Sequence, residues 1–159
     1  MESSGWRERN MSEDPIKMID VSGKETVARR AVAAGVIKLK ASTVDVIRKG
    51  EIKKGDPLTV GEIAAILAVK NTPDLIPLCH NIPIGRAHVE YTLGETMIEA
   101  RCTVTTNART GVEMEALAGV TVALLNIWDM TKYLEKDGDG QYPDTVITDI
   151  RVLEKVKGK

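Results

Sequence analysis

The segment Thr110–Lys136, TGVEMEALAGVTVALLNIWDMTKYLEK, dictates most of what this chain can become. It has no proline, and Leu117, Val120, Leu124, Ile127 and Trp128 recur at three- and four-residue spacing, the period of one buried helix face. Ala116, Ala118, Val122, Ala123 and Leu125 widen the apolar surface beyond one stripe. The helix is therefore expected to pack on more than one side, against its own sheet and against another subunit. Thr110 followed by Glu113 fits a capping box, in which the threonine oxygen accepts from the amide of residue 113 and the carboxylate reaches back. Glu113 and Glu115 fall in the first turn, where the helix macrodipole favours anions. Asp129 and Lys132, at i,i+3 near the other end, share a face and can pair. Two readings of that pair stand side by side. It is a surface ion pair, or, at the end of an apolar run and after a tryptophan, it is partly desolvated, as proton-transfer groups are.

A core around such a helix must be aliphatic, because the chain lacks phenylalanine and aromatic residues total 3%. The same scarcity removes the stacking platforms of single-strand nucleic-acid binding, and a net charge of -1 removes a global basic field. No nucleic-acid partner is expected. No apolar run reaches membrane-spanning length, since Thr121 and Asn126 break the richest window. Cys79 and Cys102 form neither a CxxC pair nor a disulfide framework, which suits a reducing, cytoplasmic setting. At 159 residues the chain fits one domain. Residues 1–14 read as a disordered polar tail that is no signal peptide, and residues 15–159 as one α+β domain.

Along the chain, Ile16–Val21 suits an edge strand or an extended arm. Val27–Lys40 is expected to be a strand over its second half, with Gly35 marking a bend. Ser42 would cap a short helix, Thr43–Lys49, ended by Gly50. Thr59 and Glu62 form a second capping box for Val60–Lys70, whose Ile63, Ile66 and Leu67 make one face, and Pro73 stops that helix. Asp74–Ile84, DLIPLCHNIPI, is apolar yet irregular, so it is expected to be buried, with Cys79, His80 and Asn81 needing partners. Ala87–Leu93 and Thr96–Thr106 read as a hairpin around Gly94-Glu95. In its second strand Met97, Glu99, Arg101, Thr103 and Thr105 face one way and Ile98, Ala100, Cys102 and Val104 the other. Asp137–Gly140 with Pro143 is an acidic turn, and Val146–Leu153 a closing strand. Strand, two helices, hairpin, long helix and strand wind into an α+β, ferredoxin-like sandwich, a mainly antiparallel sheet with helices on one face.

Local sequence leaves the chemistry open. His80 is a structural histidine, a general acid or base, or a phosphate contact, and His88 falls on a strand surface. The Cys79-His80 neighbour pair is weak for metal, since no other Cys or His lies at zinc spacing. The turn Thr105–Gly111 leads into a helix N-terminus that can meet an anion, without the glycine-lysine order of a P-loop. Lys54, Lys70, Lys132 and Lys155 each end or follow an element, where most lysines are simply solvated.

DLIPLCHNIPI, TGVEMEAL and WDMTK, in that order and spacing, resemble the signature blocks of the cyclic pyranopterin monophosphate synthases, the molybdenum cofactor biosynthesis protein C family. The similarity runs from about Ile19 to Lys155. It implies a ferredoxin-like subunit in a homohexamer, a trimer of dimers with active sites at dimer interfaces. The implied reaction converts (8S)-3',8-cyclo-7,8-dihydroguanosine 5'-triphosphate to cyclic pyranopterin monophosphate with release of diphosphate. No cofactor is implied beyond magnesium accompanying the triphosphate. By motif, Asp129 and Lys132 match the catalytic aspartate and lysine. Lys54, Lys70, Cys79, His80, Glu113, Met114, Glu115 and Lys155 match substrate-binding positions, and no metal ligand is matched. The chain departs from the family pattern at Asn81, commonly proline, in a longer connection before the last strand, and in a shorter C-terminal tail. Two other readings compete: a non-catalytic ferredoxin-like module that binds a nucleotide and regulates a partner, and a metal hydrolase using Cys79 and His80.

Overall fold

The computed structural model describes residues 16–159; the expected tail, 1–14, lies outside the described residues. Four strands form one antiparallel sheet in the order β2-β3-β1-β4: β1 (Val27–Lys38), β2 (Arg86–Leu93), β3 (Met97–Ala108) and β4 (Val146–Lys157). Helices α1 (Ala41–Arg48), α2 (Pro57–Lys70), the short α3 (Thr72–Leu75) and α4 (Glu113–Glu135) complete the fold, with α2 and α4 layered on one face of the sheet. This is the ferredoxin-like arrangement that the element order predicts.

β3 alternates as its sequence dictates, with Ile98, Ala100, Cys102 and Val104 fully buried beneath the helices. β1 is longer than expected and extended over its whole length, because alanine and glycine let α4 lie close to it. A Cβ on Gly35 would stand 2.8 Å from Leu124 Cδ1 and 2.5 Å from Ile150 Cδ1. On the other side of β1, the β4 register slips between Val32 and Ala33 and again between Ala34 and Val36, and Asp149 takes a left-handed φ of 56°.

The helices correct three expectations. α2 does not bury Ile63 and Leu67, which are 57% and 54% exposed; it buries Pro57, Gly61, Ala65, Ala68 and Val69. Small residues win because they bring α2 and α4 backbone to backbone: a Cβ on Gly61 would lie 3.2 Å from the Ala123 carbonyl. The α2 cap is Asp56, three residues before Thr59: its carboxylate accepts from the Leu58 amide at 3.0 Å and from the Thr59 hydroxyl at 2.5 Å, and Pro57 starts the helix. Neither Thr110 nor Ser42 caps; α4 starts at Glu113 after Val112, α1 starts after Lys40, and neither has a side-chain cap of its own. Gly50, at φ 69°, follows α1 as its sequence requires. Ile16–Val21 is an arm without strand pairing.

The proline-rich loop is not buried as expected. Leu75, Pro77, Leu78, Asn81 and Pro83 are exposed, while Cys79 and His80 are half-buried. The prolines leave the loop no regular ladder, and it forms no strand.

Candidate active site at the two ends of the long helix

Each end of α4 gathers a cluster of charged side chains. At its N-terminal end, Gly111 leaves the space that the Glu113 carboxylate occupies; a Cβ there would push that carboxylate aside. That carboxylate turns to Lys155 of β4, with Oε1 2.5 Å from Nζ, and not back to Thr110. Burial pushes the Glu113 carboxyl up, but the Lys155 ammonium, a backbone amide and Arg29 outweigh it and hold the group below its ordinary value. Glu115, 3% exposed, goes the other way: burial and the neighbouring Glu113 raise it. The half-buried Cys79 thiol is raised by burial and by Glu115.

His80 Nε2–H donates to the Ile19 carbonyl at 2.6 Å, which seats the N-terminal arm over this end. A cavity of about 390 Å³ results, lined by Cys79, His80, Glu113, Met114 and Glu115 together with Lys17 and Lys24 of the arm. A neighbouring cavity of about 500 Å³ shares Lys24 and adds Arg29, Arg109, Lys155 and Lys157. This end therefore sets three carboxylates, Glu25, Glu113 and Glu115, against an excess of cations, the charge balance that receives a polyanion. Lys17, Lys24, Arg29 and Arg109 were not singled out from the sequence. The signal for Lys17 and Lys24 was there only in the arm's proximity to the loop, which no local pattern encodes.

At the C-terminal end, Asp129 Oδ1 lies 2.8 Å from Lys132 Nζ, and Oδ2 lies 3.2 Å from Lys54 Nζ, which also donates to the Asp129 carbonyl at 3.3 Å. The pairing is as expected, and of its two readings a single chain shows the surface ion pair. The Asp129 and Lys132 side chains are 57% and 42% exposed, since position 129 faces outward between Ile127 and Met130, which carry the core. Lys132 and Lys54 lower the Asp129 carboxyl, and Asp129 raises the Lys132 ammonium. The reading of a partly desolvated pair therefore does not hold within a single chain. Lys53 and Tyr133 brace the cluster: the Lys53 amide donates to Tyr133 Oη at 3.0 Å, and its ammonium lies 5.2 Å above the ring. Lys70 is exposed in the last turn of α2 and bonds to neither cluster.

His88 is a surface group held by Glu62 at 3.2 Å. Cys102 is core packing, its thiol pushed up to about 12 by burial. Among the described residues no three His, Cys, Asp or Glu side chains form a metal-binding group, and no helix is long and apolar enough to cross a membrane.

The clusters lie at opposite ends of one helix, yet they contain nine of the ten residues singled out by motif, Lys70 being the exception. Comparison with known proteins agrees with those motifs over almost the whole chain. The chain is 53% identical over 150 residues to a probable cyclic pyranopterin monophosphate synthase of Thermococcus kodakarensis, covering 94% of this chain and 96% of the relative. It is 57% identical over 145 residues to one from Methanosphaerula palustris, covering 91% and 94%, and 56% identical over 141 residues to one from Aeropyrum pernix, covering 89% and 97%. Residues 18–158 match the MoaC family, and the chain belongs to it.

Proposed function

We propose that this chain is a cyclic pyranopterin monophosphate synthase of molybdenum cofactor biosynthesis. It converts (8S)-3',8-cyclo-7,8-dihydroguanosine 5'-triphosphate to cyclic pyranopterin monophosphate and diphosphate. The observation that carries this reading is the presence of an Asp129–Lys132–Lys54 cluster and a cation-rich pole around His80 and Glu113 at the two ends of one helix, on a chain that matches the family from residue 18 to 158.

The residues divide the work by charge. His80, Lys155 and the cations around them meet the triphosphate, and Lys70 adds a further positive charge. A magnesium ion carried by the triphosphate would enter with the substrate. Closing the cyclic phosphate forms a bond between a ribose-derived hydroxyl and the α-phosphorus. The α–β bridging bond breaks, and diphosphate leaves with its electron pair. Asp129 takes the hydroxyl proton, and the lysines stabilise the leaving charge. Lys132 supplies and recovers protons at the ring nitrogens as the purine rearranges.

In the exposed pair both ions are stabilised, which opposes proton transfer. Covering it with substrate and a second chain strips its water and brings the lysine down. A second chain also solves a problem of reach. Glu115 and Asp129 are fourteen residues apart (129 − 115), about 21 Å at ~1.5 Å per residue. Antiparallel pairing of α4 about a two-fold axis sets Glu113 and Glu115 of one chain beside Asp129 and Lys132 of the other. Leu125 and the outward side of α2, with Ile63 and Leu67, offer apolar surface for such a contact. We place these dimers in a hexamer, three to an assembly, working in the reducing cytoplasm where Cys79 and Cys102 stay free.

The test is turnover of the cyclised GTP derivative, read as pterin product and diphosphate. Inactive Glu115→Ala and Lys132→Ala chains are then mixed under subunit exchange. The composite site predicts about half of wild-type activity per heterodimer, one intact site of two. No recovery despite verified exchange places all these groups in one chain.

A further inference from the structure

Glu135, the last residue of α4, is 0% exposed and forms no ion pair among the described residues. A helix C-terminus disfavours an anion, and a buried carboxylate is an expensive way to hold a fold together. Every partner it has donates to it. The Lys40 amide reaches both oxygens, at 3.2 and 3.3 Å; the Thr145 hydroxyl donates at 2.8 Å, and the Thr43 hydroxyl donates to the other oxygen. The carboxylate thereby supplies from outside the cap that α1 lacks, and ties it to the segment entering β4.

Both tied segments lead to the Asp129 cluster. Thr43 opens α1, whose far end runs into the turn carrying Lys53 and Lys54; Lys54 then returns to Asp129 at 3.2 Å. Thr145 ends the 137–145 loop. Asp137 Oδ1 organises that loop by accepting from the Asp139 and Gln141 amides, each at 2.9 Å, and Tyr142 meets Trp128 edge-on with ring centroids 5.5 Å apart. Trp128 directly precedes Asp129.

We infer that Glu135 is a positioning residue for the Asp129–Lys132–Lys54 cluster. Through Thr43 and Thr145 it fixes the two walls, the Lys53–Lys54 turn and the 137–145 loop, between which the cluster stands. It touches no substrate, and its role rests on the synthase reading above.

The test uses the full chain and the variants Glu135→Gln, Thr145→Val and Thr145→Ser. The Gln amide donates where the Lys40 amide and a threonine hydroxyl also donate, so one arm is released without a change of size. Glu135→Gln is expected to lower kcat roughly tenfold or more while KM stays within about twofold, below the ~100-fold that a 1 Å misplacement can cost. Amide exchange should accelerate at Lys53 and Gln141, whose amides are hydrogen-bonded in the structure. Thr145→Val should do the same on the loop side alone, and Thr145→Ser, which keeps the donor, should retain wild-type kcat. If Glu135→Gln fails to fold, the two Thr145 variants decide the matter. A kcat per folded molecule within about twofold of wild type, with only the melting temperature lowered, overturns the inference. A wild type without turnover refutes the synthase reading instead; exchange then judges the node, and unchanged exchange at both amides overturns it.

Discussion

Gly119→Ala sets a general rule against this structure. In an exposed helix interior the change stabilises, by about 1 kcal/mol, because alanine loses less backbone entropy. At position 119 the new Cβ would stand 2.6 Å from Cys102 Sγ and 2.9 Å from Val69 Cγ2, with the Ala65 carbonyl at 3.6 Å. Ordinary contact between such atoms needs about 3.5–4 Å, so the neighbours must give by roughly 1 Å. Neither can give freely: Cys102 is 0% exposed on a central strand, and Val69 is β-branched and 1% exposed. Overpacking of this kind costs about 1–3 kcal/mol, which leaves a net loss of up to about 2 kcal/mol after the helix gain. For a chain of this size that lowers Tm by about 2–4 °C per kcal/mol. The assay is urea and thermal unfolding at matched protein concentration, so that association does not shift the comparison. Adding Cys102→Ala removes the nearer clash, and the double variant should lose at least about 0.5 kcal/mol less than the two single losses summed. A rise in Tm for Gly119→Ala, or strict additivity with Cys102→Ala, would refute close packing of α4 against α2 and β3 as the reason for glycine here.

Lys132→Ala and Asp129→Asn should each lower turnover at least about 100-fold with wild-type circular dichroism, as loss of a proton-transfer group does; near-normal product formation would contradict the assignment. His80→Ala should impair substrate handling more than stability, since among the described residues the ring holds only the Ile19 carbonyl; a lowered Tm with full activity per folded molecule would make it structural. The Glu113 carboxyl, held below its ordinary 4.5, contributes stability that is present above that value and lost as pH falls through its folded value. Lys155→Met removes the counter-charge and leaves burial, so carboxyl-detected NMR should show Glu113 titrating above its wild-type value and the acid-side loss of stability shrinking; an unmoved titration would exclude the pair.

What was legible in the sequence was what repeats at a fixed period or stands in a motif. β3 alternates in space as in sequence, α4 spans nearly the segment that its spacing predicts, and the motif residues fall at the two poles. What was not legible depended on distance. Reading α2 by its largest apolar residues gave the wrong face, because the closeness of α2 to α4 favours Gly61 and Ala65 over Ile63 and Leu67. Thr59 looked like a cap, but proline at 57 sets the helix start, and Asp56 takes the role. Glu135 carries no local signal, since its partners Thr43 and Lys40 lie 92 and 95 residues away. The exposure of Asp129 belongs to the same class: the groups proposed to cover it sit on another chain.

The broken register of β4 bears on how the chain avoids aggregation. β4 is the outer strand of the sheet, with one row of backbone amides and carbonyls unpaired, and Val146, Ile150, Val152, Leu153 and Val156 are all exposed along it. A flat apolar strand of that length would template the addition of further copies, edge to edge, into aggregates. The two slips opposite Val32–Val36 and the left-handed turn at Asp149 interrupt the row, and Arg151, Glu154, Lys155 and Lys157 place charges along what remains. Free chains therefore keep their open β4 edges from pairing with one another.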